Sequence, residues 1–373
     1  MEQIQQFIID VFGNVSNIEW KPVVMWIIGG ILIFLAIKKN MEPTLLLPMG
    51  FGAILVNLPE SGAVETIKTL FEAGISNELF PLLLFIGIGA MIDFEPLLTN
   101  PKLMIFGAAA QFGIFLTFGL ACLFFPINDA ASIGIIGAAD GPTSIFVANT
   151  LNSNYMGAIM VAAYSYMALV PVVQPPIIKM MTTKKERLIR MNYTGTKVSK
   201  TTKILFPIVV TVITGIFAPD SVALIGFLMF GNLIRECGVL NSLSETAQNA
   251  LANLITILLG LTVSFKMQSA DFLTADTLLI LGLGLFAFIF DTIGGVLIAK
   301  IMNIFSKNKI NPMIGACGIS AFPMSARVVH KMGLAEDNQN FLLMHSIGVN
   351  VSGQIASVIA GGLLLKLVLP LVG

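Results

Sequence analysis

The chain has 373 residues, of which 56% are hydrophobic and only 11% are charged. A soluble protein carries about a quarter of its residues as charged side chains, so this composition excludes a chain that covers its own surface in water. The 21 basic and 21 acidic residues give a formal net charge of zero, which excludes an electrostatic nucleic-acid binder. The composition therefore predicts an all-α polytopic membrane protein.

Uncharged apolar stretches follow one another along the whole chain. The clearest, 103–125, contains no charged residue and is long enough to cross a hydrocarbon layer of about 30 Å. The similar stretches are 22–37, 43–59, 79–92, 155–178, 204–219, 221–234, 247–265 and 338–365, together with 277–299, which Asp291 interrupts. We therefore expect about ten transmembrane helices.

Two further apolar segments are too rich in glycine, proline and serine to be ordinary helices. They are 130–151, AASIGIIGAADGPTSIFVANTL, and 310–326, INPMIGACGISAFPMSA. Non-helical backbone at membrane depth is tolerated only where protein or a watery cavity satisfies its amides and carbonyls. Both segments are therefore candidates for the lining of a cavity. The competing interpretation is that each is a distorted full span in a bundle.

The distribution of positive charge predicts how these segments enter the membrane. The loop 182–203 carries seven basic residues and one acidic residue, so it should be cytoplasmic. A complete crossing by 130–151 would place this loop outside, whereas a re-entrant segment keeps it inside. The same argument makes 310–326 re-entrant from the opposite face.

Two halves of the chain then repeat one pattern. Residues 1–181 and residues 204–373 each contain five spans with a broken segment before the last span, and the basic cytoplasmic loop 182–203 joins them. Halves with an odd number of spans have opposite orientations, so we expect a first membrane repeat and a second, inverted one. Inverted repeats with broken helices are typical of secondary transporters, whose ion sites lie where the breaks meet.

Asp140 lies in the middle of the first broken segment. A carboxylate at the bilayer centre costs about 2.5–3.5 kcal/mol on insertion scales, so it is rarely present without a partner. The functional interpretation is a cation or proton site, because Gly137, Gly141 and Pro142 interrupt the helix and free backbone carbonyls. Such hard oxygen ligands suit sodium. The alternative is an acid at the tip of an extracellular loop.

The last predicted span carries a stripe of polar residues. Asn350 and Ser357 are seven positions apart and share one face of a helix. Small and hydroxylated residues in membrane helices often serve only for close packing, but these two neutral oxygens are also suited to complete a sodium site with Asp140.

Other intramembrane polar residues are less specific. Asp291 is a second acid within an apolar stretch, and Tyr164 and Tyr166 lie in the span after the first broken segment. A tyrosine there usually packs or anchors at an interface, although beside a buried carboxylate it can pass a proton. The chain has no phosphate-binding Gly-Lys-Ser loop, so it is not itself an ATPase.

Four stretches of the sequence resemble the beta subunit of the sodium-pumping, biotin-dependent decarboxylases of the oxaloacetate, methylmalonyl-CoA and glutaconyl-CoA type. The resemblance covers essentially the whole chain. The stretches are 137–151, GAADGPTSIFVANTL; 231–265, with its long NLI run; 315–333, GACGISAFPMSARVVHKMG; and 340–362, NFLLMHSIGVNVSGQIASVIAGG.

The resemblance implies a membrane subunit that decarboxylates carboxybiotin and couples this to sodium export with proton consumption. It implies sodium as the ion and biotin carried on a separate subunit. The implied partners are an alpha (carboxyltransferase) subunit, a biotin carrier, a small membrane subunit and further beta subunits in a homo-oligomer. The expected location is the cell inner (cytoplasmic) membrane, as a multi-pass protein.

The resemblance also implies roles for individual residues. Asp140 is similar to the family's sodium-site aspartate, Asn350 and Ser357 to polar residues that share its role, and Tyr166 to a tyrosine in the proton or sodium path. Asp140 and Tyr166 are therefore the candidate catalytic residues. An arginine that some relatives place after the serine has no clear match, and Lys366 is the nearest basic residue.

One alternative function remains open at this point. An inverted repeat equally supports a stand-alone secondary transporter, such as a sodium/proton or sodium/carboxylate carrier. Such a carrier would work without partner subunits. The compact chain favours the glutaconyl-CoA or methylmalonyl-CoA type within the decarboxylases, although the alpha subunit selects the acid.

Overall fold

The computed structural model describes residues 18–39, 41–191 and 197–372. The structure is 82% helical, and no β-strand occurs in these ranges. This confirms the all-α fold. The acidic N-terminal end of the chain and residues 192–196 of the basic loop lie outside the described residues.

Nineteen α-helices follow one another in the described part of the chain. In its first part the helices are α1 Trp20–Lys39, α2 Pro43–Val56, α3 Ala63–Phe71, α4 Leu79–Met91, α5 Glu95–Thr99, α6 Met104–Ala110, α7 Phe112–Ala121, α8 Ile127–Gly134, α9 Gly141–Thr150, α10 Met156–Met181 and α11 Lys184–Arg187. In its second part they are α12 Lys200–Phe217, α13 Val222–Cys237, α14 Asn241–Glu245, α15 Ala252–Val263, α16 Ser269–Phe272, α17 Ala275–Phe305, α18 Met324–Glu336 and α19 Leu343–Val372.

Seven helical segments among the described residues are long and apolar enough to cross a membrane, which makes the chain a multi-pass membrane protein. They are Trp20–Lys39, Pro101–Ala121, Met156–Met181, Lys200–Phe217, Asn241–Met267, Ala275–Phe305 and Leu343–Val372. An eighth candidate is the pair Ala63–Ser76 and Leu79–Met91, which is bent by 61°.

The expected count of about ten spans is not confirmed. Two of the predicted spans coincide with α2 and α13, which have 14 and 16 residues. At about 1.5 Å per residue these helices rise only about 21 and 24 Å, which is short of a hydrocarbon layer of about 30 Å. A third predicted span coincides with α4, which belongs to the bent pair.

Apolar side chains cover the outward face of α12. Only Pro207 and Thr214 of this helix are buried. Its large exposed side chains are Leu205, Ile208, Val209, Val212, Ile213, Ile216 and Phe217. A helix that is apolar on its exposed side is suited to contact lipid rather than water.

The described residues divide into two compact units. The first contains the residues up to Phe80 together with Asn253–Leu279, and the second contains Pro81–Ala252 and the residues from Ile280 onward. The units group residues by contact, whereas the predicted repeat halves follow sequence symmetry. The repeat halves therefore stay a prediction.

Close backbone contacts hold the first unit together. A Cβ atom on Gly29 would lie 2.6 Å from the carbonyl oxygen of Gly50, so α1 and α2 touch at a point that only glycine permits. At the end of α2, Asn57 donates from Nδ2 to the carbonyl of Met267 at 2.8 Å and accepts the amide of Ser269 at 2.7 Å. These bonds join α2 to the turn that follows α15.

The second unit contains both segments with the glycine-rich and proline-rich pattern. In the first, α8 continues into the 3₁₀ turn Ile135–Ala138 and stops at Ala139, which has a left-handed φ of 51°. The chain then begins α9 at Gly141. In the second, the 3₁₀ turn Pro312–Gly318 is followed by non-helical backbone until α18. Both segments are interrupted helices, and their re-entry into a membrane stays a prediction.

Candidate functional site

Asp140 lies at the N terminus of α9, directly after the left-handed Ala139. Its Oδ1 accepts a hydrogen bond from the amide of Thr143 at 3.3 Å, as an N-cap residue does. Pro142 lies in the first turn of α9, where amide hydrogens have no acceptor within the helix. The missing amide hydrogen of proline therefore costs no helical hydrogen bond. The sequence Asp-Gly-Pro-Thr therefore starts a new helix and fixes the carboxylate at its positive end.

Three side chains converge on Oδ2 of Asp140. The hydroxyl of Thr143 donates from 2.8 Å, Nε2 of Gln354 from 3.0 Å and the hydroxyl of Ser357 from 3.1 Å. Asp140 is only 4% exposed. A carboxyl group removed from water in this way is tolerated because its oxygens have donors.

The sequence pattern predicts that Ser357 shares a site with Asp140, and the two side chains are in contact in the structure. The hydroxyl of Ser357 also lies 3.1 Å from the carbonyl oxygen of Gln354. A hydroxyl group has one proton and two lone pairs, so it can donate to only one of these oxygens at a time. Its lone pairs are available to a cation beside Asp140.

Asn350 contacts the second broken segment. Its Nδ2 donates to the carbonyls of Cys317 and Ile319 at 3.2 and 2.7 Å. Its Oδ1 is buried and has no hydrogen-bond partner among the described residues. The structure therefore gives Asn350 a place in the wall of the second break, two helical turns from Ser357.

The two broken segments meet at Ser320. Its amide donates to the carbonyl of Ala138 at 3.0 Å, and its hydroxyl donates to the carbonyl of Gly353 at 3.1 Å. A Cβ atom on Gly353 would lie 2.2 Å from the carbonyl oxygen of Gly318, so α19 touches the second break at a glycine. One serine thus links the turn before Asp140, the second break and the last helix.

The two tyrosines of α10 have different surroundings. The Tyr166 hydroxyl donates to the carbonyl of Leu281 on α17. The Tyr164 ring packs on the Asp140 turn, where a Cβ atom on Gly141 would lie 2.1 Å from the ring. The Tyr164 hydroxyl is buried without a partner in the described ranges. Tyr164 is therefore the tyrosine that contacts the Asp140 turn, whereas Tyr166 joins α10 to α17.

Comparison with known proteins identifies the family. A family model described as the Na+-transporting oxaloacetate decarboxylase beta subunit matches residues 21–368. The chain belongs to this family. The resemblance of the four sequence stretches to this family is therefore confirmed.

Individual relatives within the family act in different decarboxylases. The chain is 48% identical to the methylmalonyl-CoA decarboxylase subunit beta of Veillonella parvula, with 92% of each chain covered. It is 48% identical to the glutaconyl-CoA decarboxylase subunit beta of Acidaminococcus fermentans, with 94% of each covered. It is 45% identical to the oxaloacetate decarboxylase beta chain of Klebsiella pneumoniae, covering 93% of this chain and 95% of that one.

The oxygen atoms in contact at this site are those of the Asp140 carboxyl group and of the Thr143 and Ser357 hydroxyls. Such hard oxygen atoms are suited to bind sodium, whereas Gln354 presents its amide nitrogen. No group of three or more histidine, cysteine, aspartate or glutamate side chains able to hold a metal ion occurs within the described ranges.

The sequence pattern does not single out Thr143 or Ser320, and it indicates Gln354 only as one member of the polar stripe in the last predicted span. Two of these carried a local signal, because Gln354 lies three residues before Ser357 on the same helix face and Thr143 is three residues after an N-cap aspartate. The contacts of Ser320 depend on two segments that are far apart in the chain. No local pattern predicts that meeting.

Proposed function

We propose that this beta subunit decarboxylates carboxybiotin and couples the release of carbon dioxide to sodium export, with a proton consumed in each cycle. Membership of the family supports a role in a sodium-transporting decarboxylase. The observation that carries the site is the buried carboxyl group of Asp140, whose Oδ2 accepts three side-chain donors between two interrupted helices. Discontinuous helices hold coupling ions in secondary transporters.

Sodium binds to Asp140 with Ser357 and Asn350 as neutral ligands in this proposal. The contact between Asp140 and Ser357 supports this assignment directly. For Asn350, the support is an amide oxygen that is buried without a hydrogen-bond partner in the described part of the chain. Thr143 joins the set because its hydroxyl also contacts Asp140.

A proton and a sodium ion are alternative partners of the Asp140 carboxylate. An unneutralised carboxylate at membrane depth is costly, so the binding of one ion favours the departure of the other. Coupling to decarboxylation requires that sodium and carboxybiotin bind unequally to the two states of the pump. Sodium enters from the cytoplasmic side, carboxybiotin is decarboxylated there, and the ion leaves to the outside.

Tyr166 is the second proposed catalytic residue, with a role in the proton path. Tyr166 is buried, and its hydroxyl donates to the backbone of α17. A tyrosine hydroxyl both donates and accepts hydrogen bonds, which suits Tyr166 to pass on a proton. Tyr164 lies against Gly141 and shapes the turn that carries Asp140.

The proposed transport step is alternating access by two inverted repeats. Residues 1–181 and 204–373 form the repeats, with about ten spans in all and one re-entrant segment in each. The interrupted helices before the last span of each half support this assignment. Movement of one repeat against the other exposes the sodium site to opposite sides of the membrane in turn.

The relatives are named as beta subunits of decarboxylases, which supports the presence of partner subunits in this proposal. An alpha (carboxyltransferase) subunit transfers the carboxyl group to biotin on a separate carrier subunit, and the carrier presents it to this chain. A small membrane subunit and further beta subunits complete an assembly in the cell inner (cytoplasmic) membrane. The alpha subunit selects the oxo-acid or acyl-CoA that is decarboxylated.

Reconstitution with defined partners tests the proposal. The chain is placed in liposomes with and without the alpha subunit and the biotin carrier, and sodium uptake is followed after addition of the oxo-acid or acyl-CoA. We expect uptake only with the partners and the substrate. Sodium uptake by the chain alone, driven by a proton or carboxylate gradient, would instead establish a stand-alone transporter.

A further inference from the structure

Asp291 lies within α17 and is not one of the proposed sodium ligands. The residue is fully buried. Its Oδ1 accepts the amide of Ile114, at the start of α7, from 3.1 Å. Its Oδ2 is buried and has no hydrogen-bond partner among the described residues.

Two glycines make room for this carboxyl group. A Cβ atom on Gly137 would lie 2.6 Å from Oδ2 of Asp291, and a Cβ atom on Gly113 would lie 2.6 Å from Oδ1. Gly137 belongs to the 3₁₀ turn of the first broken segment, three residues before Asp140. The free oxygen of Asp291 therefore lies against the segment that carries the proposed sodium ligand.

The elements packed on Asp291 bring no charge to compensate it. Helix α7 has no ionisable side chain, and Asp129 is the only one between residues 127 and 138. Asp129 accepts hydrogen bonds from Ser153 and Asn154. On α17 itself the other ionisable residues are Asp276 and Lys300, near the helix ends.

We propose that Asp291 is a second ion-binding residue of the pump and that the ion it binds and releases is a proton. A bare carboxylate oxygen in such a site is costly, and binding a proton removes the charge. A sodium ion requires several oxygen ligands, whereas a proton needs only the carboxyl oxygen. Gly137 and Gly113, which lie against the two oxygens of Asp291, have no side-chain oxygen that could bind sodium. The site therefore favours a proton over a sodium ion.

The position of Asp291 also links it to the reaction. When carboxybiotin is decarboxylated, the bond between nitrogen and the carboxyl carbon breaks, carbon dioxide leaves and the nitrogen takes up one proton. This part of the inference rests on the proposed function, which requires a residue to supply that proton. A shift of the Gly137 turn that loads or empties Asp140 changes the contact of Asp291 at the same time.

Helix α17 also contacts Tyr166, the second proposed catalytic residue. Gly284, two helical turns before Asp291, packs on the side chain of Ile136 and on the ring of Tyr166. One face of α17 therefore follows the first broken segment from Tyr166 to Asp291. This arrangement places two oxygen groups, the Tyr166 hydroxyl of α10 and the Asp291 carboxyl group, along one face of α17.

Infrared spectroscopy of the purified complex tests the protonation of Asp291 without relying on transport. The difference between wild type and Asp291→Asn should contain the carbonyl band of a neutral carboxyl group, and the band should shift in D2O. Thr292→Val is the matched control, because Thr292 is the buried neighbour and its hydroxyl donates within its own helix to the carbonyl of Phe288. If Asp291→Asn does not fold, Asp291→Glu should move the band instead.

Transport measurements test the release of the proton. In liposomes, Asp291→Asn should lower the rate of sodium uptake by about a hundredfold or more, because a proton-transfer group contributes about 10²–10⁴-fold in rate. The substitution should also remove the dependence of uptake on external pH. Thr292→Val should keep both. A missing carboxyl band, or wild-type uptake with an unchanged pH profile in Asp291→Asn, would overturn the inference. Decarboxylation by the wild-type complex without sodium uptake would refute the proposed function. In that case the infrared comparison would still show whether Asp291 binds a proton.

Discussion

At Asp140, one carboxylate oxygen already receives three donors, and this limits how a sodium ion can bind. The hydroxyls of Thr143 and Ser357 can rotate and present lone pairs. Gln354 donates through its amide nitrogen, which cannot coordinate a cation. Rotation of this amide would bring Oε1 toward the ion, so Gln354 can act either as a donor in the empty site or as a ligand in the filled one.

Separate substitutions of Asp140 and Ser357 distinguish the need for the carboxylate charge from the contribution of one oxygen ligand to sodium affinity. Asp140→Asn removes the carboxylate, so we expect loss of both sodium transport and sodium-dependent decarboxylation. Ser357→Ala removes one proposed oxygen ligand of sodium, and the contact of one neutral polar group with a charge is worth about 1.5–3 kcal/mol, as in a hydrogen bond to a charged group. We therefore expect the apparent sodium affinity to fall about tenfold or more, at roughly 1.4 kcal/mol per factor of ten. The sodium dependence of decarboxylation measures both effects.

Ser352→Ala is the control for this experiment. Ser352 is equally buried in α19, and its hydroxyl contacts the carbonyls of Leu103 and Val349 rather than Asp140. Its sodium affinity should match wild type. Wild-type decarboxylation by Asp140→Asn with sodium still transported would remove Asp140 from the mechanism.

Part of this site is predictable from the sequence because two of its residues stand in recognisable local patterns. A lone acid in a Gly-Pro turn singled out Asp140, and helical spacing paired Ser357 with Asn350. The spacing was not enough to tell which of these two touches Asp140, because that depends on where α19 lies against the breaks. In the same way, Tyr164 and Tyr166 differ by two positions, and only packing distinguishes the one that contacts Gly141.

Among the helices, the interruptions follow from composition but their mutual contact does not. Glycine and proline predict that the helices break near Asp140 and after Pro312. The bond from Ser320 to Ala138 joins residues that are far apart in the sequence. Backbone groups freed by one interruption are thus satisfied by the other, which is the condition for irregular backbone within a membrane protein.

The short segment around α11 is tied to the end of α18 by charged pairs, and one of them predicts a pH effect. Arg190 donates to Asp337 from 2.5 Å, and this bond lowers the pKa of the Asp337 carboxyl. A carboxyl group whose pKa is lower in the folded protein stabilises it above the unfolded pKa of about 4. That contribution is lost as the pH falls through the folded pKa.

Thermal unfolding of the detergent-solubilised protein, measured against pH, checks this. The wild type should lose part of its stability below about pH 4, where aspartate normally titrates, and Arg190→Gln should show less of this loss. The effect should be small because Arg190 is 54% exposed. Lys184→Gln removes a charge from the same segment and serves as the control. Equal pH dependence in all three proteins would show that the pair contributes nothing.

For the molecule as a whole, hydropathy predicts the class of protein but not the number of crossings. Composition and charge are sums over the chain, so they indicate a membrane protein whatever the local geometry. The number of spans depends on helix length, and breaks or bends shorten several helices here, as in the pair bent by 61°. The repeat therefore has to be tested by topology.

Two corresponding loops distinguish re-entrant segments from full crossings. Each follows the second predicted span of its half, at Glu65 in the first half and Ser242 in the second; both residues are exposed. Re-entrant breaks leave five spans per half, so the two loops lie on opposite sides of the membrane. If both broken segments cross completely, each half has six spans and the loops lie on the same side.

Single cysteines at these two positions measure the difference. The native Cys122, Cys237 and Cys317 are first replaced by serine or alanine, and the resulting protein must retain sodium uptake with its partners. In oriented vesicles, a membrane-impermeant maleimide should then label Glu65→Cys only from outside and Ser242→Cys only from the cytoplasmic side, because the positive-inside rule places the basic loop in the cytoplasm. Labelling of both from one side would establish two parallel halves and would exclude the inverted repeat on which the transport step depends.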